Sequence, residues 1–79
     1  MSAVYDRVKT LLVDKFGVPE EDLSPEATFE DLDLDSLDLV EFALAAEEEL
    51  GVRITDEEAE DLENLQDTVK LLESKGAKV

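Results

Sequence analysis

The sequence predicts an all-α fold: a small four-helix bundle with a long loop between helices 1 and 2 and a short third helix. Three observations carry that expectation. Apolar residues recur at helical spacing in three segments. Each of these segments is followed by a glycine, at Gly17, Gly51 and Gly76. Nothing alternates with period two over enough residues to build a sheet. At 79 residues the chain reads as one domain, spanning 1–79. A core of this size buries only about 60% of the unfolded chain's surface, so modest stability is expected.

In chain order, Val4, Val8, Leu11, Leu12 and Phe16 mark an amphipathic helix over residues 3–16. Gly17 stops it and Pro19 prevents resumption. The connection from Val18 to Asp35 is unusually long for so small a domain. Its Val18, Leu23, Phe29, Leu32 and Leu34 are expected to pin it to the core. A second helix starts near Asp35 and Ser36, either of which can cap it, and runs to Leu50. Its apolar residues form two stripes. Leu39, Phe42, Ala43, Ala46 and Leu50 point one way; Leu37, Val40 and Leu44 are rotated from them and interleaved with acids. One helix of so small a bundle does not easily bury both, so the second stripe is expected to be at least partly exposed. Thr55-x-x-Glu58 is a capping box opening a short helix through about Leu62, after an extended Val52-Arg53-Ile54. Asn64 caps a last helix through about Ser74, with Leu65, Val69 and Leu72 inward, and the tail from Ala77 to Val79 is expected to fray.

Composition then removes whole classes of function. The chain has no Cys, which excludes disulfides and thiolate metal sites, and no His, the usual near-neutral general base. Twenty-three acids against seven bases give a net charge of −16, which repels nucleic acid and anionic membrane. No apolar run approaches the roughly 20 residues of a membrane span, and no basic-then-apolar leader is visible, so a small soluble intracellular domain is expected. The charge is also segregated. Glu20 to Glu63 holds 19 of the acids and one base, Arg53, for −18; the other 35 residues carry +2. Because apolar residues thread this acidic block, it reads as a folded acidic face rather than a solvated tail.

One segment invites chemistry: Asp31-Leu32-Asp33-Leu34-Asp35-Ser36-Leu37-Asp38. Its alternating aspartates imitate the first ligands of an EF-hand loop. The count then puts Ser36 where that loop needs a glycine and Phe42 where it needs a bidentate glutamate, so no specific metal site is expected. Asp35-Ser36-Leu37 instead places a hydroxyl at the first turn of a helix, where free N–H groups and the dipole stabilise a phosphate. Ser36 is therefore either a plain N-cap or the attachment point of a phosphodiester-linked group.

The segments Glu30-Asp31-Leu32, Asp35 through Phe42, Glu47 through Ile54 and Asp56-Glu57-Glu58-Ala59, at these spacings, closely resemble the acyl carrier proteins of dissociated (type II) fatty acid or polyketide synthesis. The likeness covers essentially the whole chain. It departs where the family often has Gly and this chain has Asp33, and at Ala46, where a bulkier aliphatic is frequent. The resemblance implies a carrier, not an enzyme: Ser36, flanked by Asp35 and Leu37, is esterified with 4′-phosphopantetheine from coenzyme A, whose thiol holds growing acyl chains as thioesters. The implied partners are a phosphopantetheinyl transferase (holo-carrier synthase), acyltransferases, ketoacyl synthases, reductases and dehydratases bearing basic docking patches. A cytoplasmic monomer of fatty acid biosynthesis is expected; a dissociated polyketide pathway is the alternative user. From a different class, an acidic cation- or protein-binding module with unmodified Ser36 is the competing reading.

Two surfaces follow. Asp35, Asp38, Glu41, Glu47, Glu48 and Asp56 are expected to meet basic patches, with Leu37, Val40, Leu44 and Ile54 as apolar anchors. Phe42, Ala43, Ala46, Leu50, Ile54, Ala59, Leu62 and Leu71 are expected to pack the core or to line an apolar space for the acyl chain. Each sheltered methylene gains about 0.8 kcal/mol.

Overall fold

The structure is a computed structural model that describes residues 3–77. Its helices are α1 (Ala3–Phe16), α2 (Ser36–Leu50), α3 (Asp56–Glu60) and α4 (Leu65–Ser74). Helix α1 packs on α2 and α4, and α2 also packs on α3. The apolar stripe of α1 is buried through Val4, Val8, Leu11 and Leu12, as its spacing requires. Phe42 lies at the centre of the bundle with no exposure. Its ring centroid is 6.4 Å from that of Phe16 and 5.9 Å from that of Phe29, so α1, α2 and the long connection converge on one side chain. Tilted aromatic pairs of this kind contribute about 0.5–1.5 kcal/mol each beyond the area they bury.

The ends of α2 are set locally. Asp35 is the N-cap, and Asp38 N–H donates to Asp35 Oδ1 at 3.0 Å while Asp35 N–H donates to Asp38 Oδ2 at 3.2 Å. At the other end Gly51 adopts φ 66, a left-handed conformation that L side chains disfavour, and its N–H reaches Glu47 O at 3.0 Å. Helix α3 opens on the expected capping box of Thr55 and Glu58. It closes at Glu60 rather than near Leu62. Asp61 caps it, and Phe29 N–H donates to Glu63 O at 3.0 Å, drawing the chain into extended pairing with the long connection.

That pairing is the main feature that periodicity did not reveal. Thr28 and Asn64 form an isolated antiparallel bridge, flanked by Leu65 N–H to Ala27 O at 3.1 Å and Gln66 N–H to Pro25 O at 3.0 Å. The connection also contains a 3-10 turn at Glu20–Asp22. Its Val18, Leu23 and Phe29 are buried, as expected, and Leu32 and Leu34 pack partly against the core. Asn64 caps α4 through Asp67 N–H at 2.8 Å. Beyond Gly76, at φ 78, Ala77 is not frayed: its N–H reaches Leu72 O at 3.1 Å, and its side chain packs partly against the core. The expectation for Lys78 and Val79 falls outside the described residues.

Asp33 is the one described non-glycine residue at positive φ, 61°. It ends the turn in which Leu34 N–H closes on Phe29 O and Asp33 N–H on Glu30 O, both at 3.0 Å. Aspartate tolerates this conformation better than most side chains, and a β-branched residue does not. Asp33→Val is expected to lower stability by about 1–2 kcal/mol in urea unfolding, while Asp33→Gly preserves or raises it. Equal stabilities for the two variants contradict the strained-turn account.

Helix α3 is tied to the end of α4 by Lys75 Nζ to Glu58 Oε1 at 2.9 Å. The Thr55 N–H, and then Lys75, hold the Glu58 carboxyl below the usual carboxylate range. A lowered value in the fold stabilises the protein above the unfolded-state pKa, and that contribution disappears as pH falls through the folded value. Glu58→Gln is therefore expected to melt below wild type near neutral pH, with the gap narrowing below about pH 4. Thermal melts across pH test this; a gap that does not change with pH contradicts it.

Candidate functional site

The capping box places Ser36 at the first position of α2, exposed to solvent. The first N–H groups of a helix have no partner within it, and here the reciprocal box occupies those of Asp35 and Asp38. The N–H groups of Ser36 and Leu37 are left facing out of the helix start, together with the positive end of the dipole. A hydroxyl here can carry a phosphodiester without burying its charge.

Beside Ser36 lies an open cleft of 490 Å³. It is lined by Ser36 and Leu39 of α2, by Phe29 and Leu34 of the long connection, and by Glu60, Leu62 and Glu63. Thr28, Glu30 and Asp35 complete it, giving an apolar interior with an acidic rim. Most of the residues expected to line an acyl space lie elsewhere. Phe42, Ala43, Ala46, Leu50, Ile54 and Ala59 are buried in the close-packed core, Leu71 is half-buried against it, and Leu62 is the member of that set on the cleft. Phe29, Leu34, Leu39, Glu60 and Glu63 were missed. Leu39 is one helical turn from Ser36 on α2, whereas Glu60 and Glu63 come near it with the Thr28–Asn64 pairing, a tertiary contact with no local sequence signal.

The outward stripe of α2 is as expected. Leu37 is 73% exposed and Leu44 57%, large values for leucine, and Val40 between them is half-exposed. Asp35, Glu41 and Glu48 of the same segment and Asp56 of α3 are exposed, while Asp38 is half-buried within the capping box. Two members of the expected docking set are placed differently. Ile54 is 7% exposed and belongs to the core. Glu47 is half-buried, and its Oε2 accepts the Ile54 N–H at 2.6 Å. Among the described residues no three acidic side chains are grouped to hold a metal ion.

The chain can now be set beside known proteins. The sequence model of the family described as "Phosphopantetheine attachment site" matches residues 6–72. The acyl carrier protein of Solidesulfovibrio magneticus is 43% identical over 74 residues, covering 92% of this chain and 95% of that one. The crystal structure of an acyl carrier protein from Thermotoga maritima superposes with a TM-score of 0.80 at 27% identity, covering 89% of this chain and 82% of that one. A helix start that presents a serine hydroxyl, a four-helix bundle around it and a match across nearly the whole length agree: the chain belongs to the acyl carrier proteins, which bear phosphopantetheine and are carriers rather than enzymes.

Proposed function

We propose that the chain, as a single carrier domain over residues 1–79, holds growing acyl groups as thioesters on a 4′-phosphopantetheine arm esterified to Ser36. It delivers them to the partner enzymes of fatty acid biosynthesis as a cytoplasmic monomer. The observation that carries this reading is the exposed Ser36 hydroxyl at the capped start of α2, beside an apolar cleft. Asp35 fixes the helix start through its capping box, and Leu37 offers an apolar contact next to the attachment point. The chemistry on the thioester belongs to the partners: the chain has neither His nor Cys, and the arm brings the acyl group to each active site at high effective concentration. A phosphopantetheinyl transferase installs the arm; acyltransferases, ketoacyl synthases, reductases and dehydratases use it.

Incubation of the apo protein with coenzyme A, Mg²⁺ and a phosphopantetheinyl transferase is expected to add one phosphopantetheine by intact mass. Peptide mapping is expected to place it on Ser36, not on Ser2, Ser24 or Ser74. Ser36→Ala is expected to keep the helical circular dichroism spectrum and gain no mass. Label in that variant contradicts the assignment, and an unlabelled wild type favours an acidic module with a plain N-cap serine.

The outer face of α2 supplies the docking surface in this reading. Glu41 and Glu48 share the exposed side of α2 with Leu37, Val40 and Leu44, Asp35 and Asp38 form its N-terminal cap, and Asp56 opens α3. Rim charges steer association and are individually weak, and exposed ion pairs are worth about 0–1 kcal/mol. That suits a carrier that must dissociate after each step. In stopped-flow binding to a ketoacyl synthase, Glu41→Lys or Glu48→Lys is expected to slow association, and added salt to slow the wild type. Leu37→Ala is expected to speed dissociation while the salt dependence stays as in wild type. A salt-insensitive wild-type association contradicts the acidic face as a docking surface.

A further inference from the structure

Glu47 lies in the acidic run at the end of α2, yet it does not behave as its neighbours do. Glu48 and Glu49 are exposed; Glu47 is half-buried, and its Oε2 accepts the Ile54 N–H at 2.6 Å. The next N–H along the chain, that of Thr55, donates to Glu58 Oε1 at 3.0 Å, and Lys75 Nζ meets the same oxygen at 2.9 Å. Two successive peptide N–H groups are thus each held by a carboxylate, one from α2 and one from α3. They sit at the only entry to α3, a helix of five residues. A helix that short does not persist by its own propensity, so its position depends on such ties and on the burial of Ile54, Ala59 and Leu62. Its last residue, Glu60, and the Leu62 and Glu63 that follow it line the same cleft as Ser36 and Leu39.

We propose that Glu47 is a positioning residue: its carboxylate anchors the Ile54 N–H to α2 and thereby fixes α3, whose last residue Glu60 lines the cleft beside Ser36. The inference rests on the reading of Ser36 as the attachment point and extends it to a side chain that sequence alone placed among the docking acids. The two roles require different chemistry. Docking to a basic patch needs the negative charge, whereas anchoring needs an acceptor at the right distance. Glutamine keeps the acceptor and loses the charge; alanine loses both.

The test compares wild type, Glu47→Gln, Glu47→Ala and Glu48→Ala in the full chain, by amide hydrogen exchange of the apo form and by hydroxylamine cleavage of the octanoyl thioester on the loaded form. In Glu47→Ala the Ile54 amide is expected to exchange about tenfold faster, as the loss of its one acceptor implies. Leu11 and Leu12 in α1 keep their wild-type protection. The thioester is expected to be cleaved faster in Glu47→Ala. Glu47→Gln is expected to restore most of both properties, and Glu48→Ala to change neither. Equal effects of Gln and Ala overturn the proposal, because they make charge the relevant property. So do an unchanged Ile54 amide in Glu47→Ala, a loss of protection spread evenly into α1, or a thioester whose cleavage does not change. Intact mass after loading reports separately on Ser36: without a mass gain the attachment reading fails, while the Ile54 amide still decides whether Glu47 anchors α3.

Discussion

The inward commitment of Phe42 is the constraint on which the rest of this molecule depends. Its ring is fully buried between Phe16 and Phe29, and this contact fixes the rotation of α2 about its own axis. At about 100° per residue, Leu37, Val40 and Leu44 then lie some 140–200° around the helix from Phe42. They have no core left to enter. The same rotation carries Glu41 and Glu48 to the solvent side and brings the Ser36 end of the helix over the cleft. The exposed apolar stripe of α2 is, in physical terms, the complement of one aromatic contact.

The charge distribution works within that frame. The few bases are not spread over the acidic surface to neutralise it. Arg7 meets Glu49 at 3.4 Å, Lys9 meets Glu20 at 3.8 Å and Lys75 meets Glu58 at 2.9 Å. Each pair ties α1 or the end of α4 to an edge of the acidic block. Exposed pairs of this kind stabilise little. Their consequence is positional: the ties fall where separate segments must be held together. The uncompensated acids still repel one another in the compact state, and a core this small has little stability in reserve against that repulsion.

What the sequence made legible follows from the range of each signal. Helical periodicity, glycine stops and capping boxes act within a few residues, so α1, α2, α4 and their caps were readable from Val4, Phe42, Asp35, Asn64 and their neighbours. Ser36 was readable for the same reason, because its setting is the first turn of one helix. Signals that depend on distant partners were not. The bridge between Thr28 and Asn64 shortens α3 and brings Glu60 and Glu63 towards Ser36, and no property of either residue announces it. Ile54 was expected in both the docking set and the core or acyl-lining set, and Glu47 in the docking set, because an apolar residue and an acid in an acidic block are locally ambiguous. Tertiary packing resolved both, burying one and giving the carboxylate of the other an internal donor.

These differences in range also separate two kinds of rigidity around the cleft. On the Ser36 side, order is built from local and redundant contacts: a reciprocal capping box, a helix of 15 residues and a buried aromatic. On the α3 side, a five-residue helix with its own capping box is held by the burial of Ala59 and by two side-chain contacts, Ile54 N–H to Glu47 and Lys75 to Glu58. Redundant local order resists opening up to the global stability, whereas an element held by a few separable contacts opens at lower free energy. Because the less redundant element is α3, α2 and its exposed apolar stripe keep their order when α3 opens locally.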